Sequence, residues 1–593
     1  MGKKYLATTA VNEIWDKDKD IILLGPWCLS GAGRARLSEK DVVLAGDIKY
    51  STENLLNNAS YCEGVYSDLL VELSDALNSL HGVNKSLDYW STLLSAWLIS
   101  HVYMMHEKYT RILNVAAREQ GDLYSHIVDP DKNMAPNDTH DFIANKIEQE
   151  YYNLQLFSQI IPEFNLNAEK INLESPKDLK APALKERVLN RTKLLLKKTL
   201  DKCQSVFLRD GDIAMADMYH VSFWDYAYLN FKTRSRLSLD AVFPPWQRER
   251  FEYDRNPRAE LDLKKNSDDI FINILKKSIK YTIPRCYVEG YSHIVKYVDS
   301  ISRKDPKIIF SAVGWHFNER FKFYAAKMKE KGSRLSGVQH GGDYGFGQYL
   351  SLFAVELKNK DMFFSWGWKH GDDSSKIKFL PSPHLSKFKN KSTKSSDCIV
   401  YISANYPRHF FTLSSYPGSE GMETYFRKQF LFFEKLPHNI SKKTYYRAYP
   451  TDFSRDIKNK IKSIEPSIKW ADDGKSSDWM KKVKLVVMDY PGTAIVEALV
   501  MNTPTIIFYD SDLWAVNDDA REYFEMLKNA GIVHPDPVSA IKKIEETYDN
   551  ILQWWEREDV QNARSEFVKK YGYATKDWRK IWARELCSLR EEL

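Results

Sequence analysis

Short apolar or aromatic runs bounded by turn residues recur along the second half of this 593-residue chain. They are Lys307–Ala312 (KIIFSA), Asp361–Gly367 (DMFFSWG), Cys398–Ser403 (CIVYIS), Thr444–Pro450 (TYYRAYP), Lys484–Asp489 (KLVVMD) and Thr505–Asp510 (TIIFYD). Runs of this kind, without strict alternation, suit strands covered on both faces of a parallel sheet. Between them the apolar residues fall at three- and four-residue spacing. After Asn318 that spacing predicts a helix closed by Gly332, a natural residue just past a helix end. Strands alternating with helices predict doubly wound α/β sheets. In the first half Asp20–Gly25 (DIILLG) reads as a buried strand; in WCLSGAGRAR (27–36) after it, GxG with two arginines is suited to cradle an anion at a helix start, but the full GxGxxG is absent and an ordinary βα turn is the favoured reading. From about 54 to 239 the pattern is helical and rich in Leu, Tyr and charge, as in SDLLVELSDALNSLHG (67–82) and RTKLLLKKTLDKC (191–203). The layout expected is an α/β chain of two Rossmann-like domains. Residues 1–370 form an N-terminal, acceptor-side domain with a helical insertion over 54–239. Residues 397–570 form a C-terminal domain, the polar Lys369–Ser396 stretch links the two, and 571–593 is a helix folding back.

Composition narrows the class. The 43% apolar and 28% charged fractions are those of a globular protein, and 13% aromatic is high enough to furnish sugar-stacking faces. With 86 basic residues against 80 acidic ones the net charge is only +6, which does not indicate nucleic acid as a partner. An anionic small substrate or membrane surface is sufficient to use it. The six cysteines are scattered without a CxxC, as expected of reduced thiols in a cytoplasm. The N-terminus lacks the apolar stretch of an export signal. The most apolar run, Leu93–Met105, is interrupted by Ser95, Ser100 and His101 and reads as a buried helix. A cytoplasmic location follows as the expectation, with peripheral contact at the inner face of the membrane and the oligomeric state left open.

Two stretches concentrate chemistry. Gly337–Gly347 (GVQHGGDYGFG) places Gln339, His340, Asp343 and Tyr344 among five glycines, of which Gly341 and Gly342 permit close approach of backbone to a ligand. His340 is a candidate general base and Asp343 a candidate nucleophile or stabiliser at an anomeric carbon. Glu319, in the first turn of the helix after Asn318, reads first as a capping acid and second as a catalytic one. The other stretch, Leu485–Phe508, reads strand, turn, helix, strand. Asp489 ends the first strand, Gly492 makes the turn, Thr493 opens the helix beside free backbone N–H groups, and Glu497 lies one turn on, placed to accept from ribose hydroxyls. Arg447, at a strand end ahead of Tyr449-Pro450, either forks a phosphate or carboxylate or pairs with Asp452. Asp129-Pro130-Asp131 matches the metal-binding DxD of sugar transferases only superficially, so no metal is expected there. His101 and His106 read as core.

Several segments together carry a resemblance. LATTAVNEIWD (6–16) with ILLGPWC (22–28), QHGGDYG (339–345), YRAYPTDF (446–453) and TAIVEALVMNTPTIIF (493–508) resemble, in order, a bacterial transferase family of surface-polysaccharide gene clusters. More remotely the layout is similar to capsule-type GT-B transferases that use CMP-activated Kdo or related nonulosonic acids. That resemblance implies a GT-B fold with Arg447, Thr493 and Glu497 binding the nucleotide donor, the 337–345 loop at the catalytic centre, and no bound metal or other cofactor. Those enzymes often carry His-Pro where this chain has Tyr449-Pro450. The expected function is transfer of a sugar, a nonulosonic acid of the Kdo, pseudaminic or legionaminic type, from its CMP form to a surface-glycan acceptor. Two alternatives stay open: a polyol-phosphate transferase of the teichoic-acid type, with Asp489-Tyr490-Pro491-Gly492 in place of its D-Y-S-S turn, and a noncatalytic glycan-binding or assembly protein.

Overall fold

A computed structural model of the chain describes residues 3–29, 42–45, 51–119, 123–164, 166–173, 208–244, 248–261, 263, 267–301, 303–369, 372–389, 396–414 and 417–592. The SGAGRAR turn (30–36) and the RTKLLLKKTLDKC segment lie outside these residues.

Three sheets are present, and every strand pairing given by the register is parallel. The first runs β3 (Val42–Leu44), β2 (Ile21–Leu23), β1 (Lys4–Ala7), β4 (Leu123–Ile127), β5 (Asn167–Lys170). The second is formed by β6 (Arg209–Ala216), β7 (Ser235–Ser238), β8 (Ile308–Ser311), β9 (Arg334–Val338), β10 (Met362–Ser365) and β11 (Ile377–Phe379), in the order β11-β10-β9-β8-β6-β7. The third comprises β12 (Ile399–Ile402), β13 (Thr444–Arg447), β14 (Lys469–Trp470), β15 (Leu485–Met488), β16 (Thr505–Phe508) and β17 (Val533–His534), ordered β14-β13-β12-β15-β16-β17. Its chain order 3-2-1-4-5-6 is that of a Rossmann sheet. The two six-stranded sheets supply the doubly wound pair expected of a GT-B chain. Of the five-stranded N-terminal sheet the sequence pattern marked β2, within the DIILLG run, but not the other four strands. Strands β8, β12, β15 and β16 are buried at every residue, which is why continuous apolar runs marked them.

The chain divides into two compact units: residues 1–218, 234–335 and 407–413, and residues 219–233, 336–406 and 414–593. The division after 335 brings the whole glycine-rich loop into the second unit rather than into an N-terminal domain ending at 370. In the first unit α1 (Thr52–His81) and α2 (Leu87–Arg118) form a hairpin. Ser51 and Ser86 cap their starts by accepting from the amides of Asn54 and Tyr89, and Gly82, at φ +61°, closes α1 in the left-handed conformation. No helix among the described residues is long and apolar enough to cross a membrane. The stretch 54–239, expected as helical, also contains β4 to β7. Their residues hid them, because β5 is NAEK, exposed throughout, and β6 begins RDGD.

The second unit holds α3 (Phe223–Thr233), α4 (Ser351–Leu357), the short α5 (Pro383–Ser386), α6 (Ser419–Lys435), α7 (Thr493–Met501) and α8 (Trp578–Glu591). A single core runs from Tyr344 through the β12, β15 and β16 strands to Ala574. The 369–396 stretch, expected as a solvated linker, carries β11 and α5, and its His384 and Leu385 are buried.

Candidate functional site

In a doubly wound sheet ligands collect where the strand order reverses, outside the carboxyl ends of the strands. In the third sheet that place lies between β12 and β15. The residue just after β15, Asp489, is buried. Its carboxylate accepts from Tyr401 Oη at 2.8 Å and Gln429 Nε2 at 2.6 Å, and burial pushes it up to about 6. Asp489 therefore ties β15 to β12 and α6. Gly492 has an extended backbone, at φ −121°, so the turn does not need a left-handed residue there. What excludes a side chain is Tyr490, whose ring would lie 2.3 Å from an added Cβ.

Thr493, the first residue of α7, meets the glycine-rich loop directly: its Oγ1 accepts from the amide of Gly342 at 3.0 Å. A Cβ on Gly342 would come within 2.8 Å of Thr493 Cα and 2.9 Å of Val496 Cγ2. The two stretches singled out by sequence are thus in contact within one unit. Gln339 braces the loop. Its side-chain oxygen accepts from Trp366 N (2.7 Å) and Trp368 Nε1 (2.8 Å), and its nitrogen donates to Gly341 O (2.7 Å), which commits the amide internally. Asp343 is partly buried, its carboxyl raised by desolvation, and its carbonyl accepts from Gly347 N at 2.8 Å to close the loop.

His340 has a carboxylate behind it that sequence reading missed. Glu356, on α4 and fully buried, has Oε1 3.6 Å from His340 Nδ1. The Tyr344 hydroxyl lies 3.0 Å from His340 Nε2 and 3.3 Å from Glu356 Oε1, linking the two. Burial pushes the Glu356 carboxyl up to about 7, against the pull of His340. A second histidine is backed in the same way. His384, on α5, has Nε2 2.6 Å from Glu497 Oε1, so the carboxylate expected to take ribose hydroxyls orients an imidazole. A neutral His384 donating from Nε2 has Nδ1 as its proton acceptor. His220 stacks on His384 at 3.9 Å, with its own pKa held down to about 4 by burial and then by His384, Lys475 and Lys387. Its backbone is left-handed at φ 58°, unusual for a side-chain-bearing residue, and Lys387 Nζ donates to its carbonyl at 2.7 Å. The Tyr219 ring stands 6.1 Å from that of His340 and 5.8 Å from that of His384. Glu356, His384, His220 and Tyr219 carry no local motif. Only the chain fold brings them to the loop.

Other candidates are placed differently. The Arg447 guanidinium donates to the carbonyls of Ala471, Asp473 and Gly474, and Asp452 accepts from the amides of Asp456 and Ile457. Tyr449 is half exposed and stacks near Phe453 at 6.2 Å. In the first unit Glu319 accepts from Tyr287 Oη (2.7 Å) and Thr139 N (3.2 Å) and pairs with Lys322 Nζ (2.9 Å), while Asn318 supplies the helix cap. It is an internal tie. Asp129 pairs with Lys170 at 2.6 Å, and Asp131 accepts from Asn133 N and Tyr151 Oη. His101 is buried among core residues with its pKa lowered to about 3.

Solved structures similar to this chain include an O-GlcNAc transferase mutant of Thermobaculum terrenum (11% identity, 89% of this chain and 99% of that one, TM-score 0.30). A UDP-GlcNAc 2-epimerase of Neisseria meningitidis bound to UDP-GlcNAc matches at 11% identity over 63% of this chain and 99% of that one, with TM-score 0.32. An α,α-trehalose-phosphate synthase of Burkholderia xenovorans in complex with glucose-6-phosphate matches at 12% identity over 52% and 80%, with TM-score 0.31. Likeness at these scores does not extend to substrate, mechanism or site. No curated protein sequence matches the chain. The model of the LIC12162 family transferase, by contrast, matches residues 4–586, and the chain belongs to that transferase family.

Proposed function

We propose that the protein is a GT-B glycosyltransferase that moves a sugar from a nucleotide-activated donor to a hydroxyl of a glycan acceptor. The observation that carries this reading is the contact of the glycine-rich loop with the start of α7, flanked by two histidines each backed by a buried or nearly buried carboxylate. The first-turn amides of a helix lack intrahelical acceptors and favour anions, which suits the donor phosphate. Glycosyl transfer passes through an oxocarbenium-like state in which the acceptor hydroxyl loses its proton as the nucleotide leaves. A histidine with a carboxylate behind it is suited to take that proton near neutral pH. In this reading His340 is the base and Tyr344 and Glu356 orient it, while Glu497 and His384 form a second proton-accepting pair on the α7 side.

For the donor, the sequence resemblance supports a CMP-activated nonulosonic acid, and for the acceptor a surface polysaccharide. The experiment is a melting-temperature screen of the full chain against CMP, CDP, UDP and GDP, followed by product analysis with the activated sugar. A ligand that binds only the native state raises the melting temperature by mass action. A rise with CMP and a glycosylated product support the reading. Transfer of a phosphate to the acceptor instead identifies a polyol-phosphate transferase, and a chain that binds none of the four nucleotides loses the transferase site proposed here.

A further inference from the structure

Helix α3 presents aromatic side chains outward. Trp224 is 75% exposed, Phe231 74% and Phe223 41%. Trp224 and Phe231 are seven residues apart, two helical turns, so they share a face, with Tyr228 between them beneath Lys232 Nζ at 5.9 Å. The opposite face is locked down: Tyr226, Leu229 and Asn230 are buried, and Asp225 is fully buried between Arg579 (2.6 Å) and Lys387 (3.1 Å). Arg590 also donates to Thr233 O at 3.0 Å, fixing the end of α3 to α8. Anchored this way, the helix cannot roll its aromatic face inward.

Exposed aromatics of this size on an ordered helix mark an interaction surface. Their surroundings indicate which one. Lys232 is exposed at the end of α3, and the start of α8 adds exposed Lys576, Arg579, Lys580 and Arg584 with Asp577 as the neighbouring acid. Trp and Phe beside a basic rim, on an anchored helix, have the chemistry of an element that lies in the interface of an anionic bilayer, with rings among the acyl-chain ends and cations at the headgroups.

We propose that the outward face of α3, with the basic start of α8, docks the protein on anionic lipid. This inference stands apart from the glycosyltransferase reading, because lipid binding needs neither donor nor turnover. The test is co-sedimentation of the full chain with phosphatidylcholine vesicles with and without phosphatidylglycerol, at low and high salt. The wild type is expected to bind the anionic vesicles, and added salt to weaken the binding. Trp224→Ala with Phe231→Ala is expected to lower the partition by roughly tenfold or more, with an unchanged melting temperature because both side chains are exposed. A wild type that stays in the supernatant, or a variant that sediments like the wild type, overturns the proposal. So does a light-scattering mass showing that the same face pairs two copies of the chain and that the double variant separates them.

Discussion

Substituting Gly342 with alanine places a methyl group where the glycine-rich loop touches the start of α7. The backbone there, at φ −82° and ψ −28°, is one that alanine adopts freely, so the substitution adds no conformational strain and removes some unfolded-state entropy. The cost comes from space. The new Cβ would sit 2.8 Å from Thr493 Cα and 2.9 Å from Val496 Cγ2, and one of these is backbone of a packed helix that cannot rotate away. Overpacking of this kind costs about 1–3 kcal/mol. Separating the segments also stretches the 3.0 Å bond from Gly342 N to Thr493 Oγ1, worth about 1 kcal/mol. Together these come to about 2–4 kcal/mol, and at about 2–4 °C per kcal/mol for a unit of this size the melting temperature should fall by roughly 4–16 °C. Differential scanning calorimetry of Gly342→Ala beside Gly341→Ala gives the comparison. At Gly341 an added Cβ meets only the side chains of Tyr344 (3.1 Å) and Asp343 (3.3 Å), so that variant should fall less. A Gly342→Ala protein that melts with the wild type, or a Gly341→Ala protein that loses more, refutes the close contact of loop and helix.

Other consequences are equally direct. Glu356 is raised from 4.5 to about 7 in the folded chain, so its contribution is complete below pH 4.5 and is lost as pH rises through 7, a swing of about 3 kcal/mol at most. Glu356→Gln abolishes that titration, and its melting temperature relative to wild type should climb between pH 5 and pH 8; parallel curves would show that the carboxyl is not buried as described. His340→Ala should lower turnover by about 10²–10⁴-fold while nucleotide still raises the melting temperature, and near-normal turnover removes the histidine from the mechanism. Glu497→Gln keeps the shape of the pair with His384 but not its charge. Turnover should drop while nucleotide still raises the melting temperature, whereas loss of nucleotide affinity alone would return Glu497 to a ribose-binding role.

Much of the scaffold was legible because parallel strands covered on both faces must be continuously apolar. KIIFSA, CIVYIS, KLVVMD and TIIFYD lie on β8, β12, β15 and β16. The helix expected after Asn318 runs from Glu319 to Glu330, with Asn318 as its cap and Gly332 at φ +93° beyond its end. Of the N-terminal sheet only the apolar β2 run was legible, since an edge strand such as NAEK buries nothing and so carries no hydrophobic pattern. Local reading brought out the QHGG loop, the Thr493 turn and Glu497, but neither Glu356 nor the pairing of Glu497 with His384. No motif marks Glu356, and the His384–Glu497 pair closes across 113 positions. The internal partners of Arg447, Asp489 and Gln339 were not legible, because a polar side chain at a strand end has the same sequence signature whether it faces a ligand or ties its own loop.

Hydrogen-exchange mass spectrometry of the full chain, with and without a mixture of CMP, CDP, UDP and GDP, bears most directly on the claim that loop and helix start form one nucleotide site. The account predicts slowed exchange in the peptides covering 339–345 and 490–497 together. Exchange unchanged in both peptides, or slowed only at a distant segment, would contradict it.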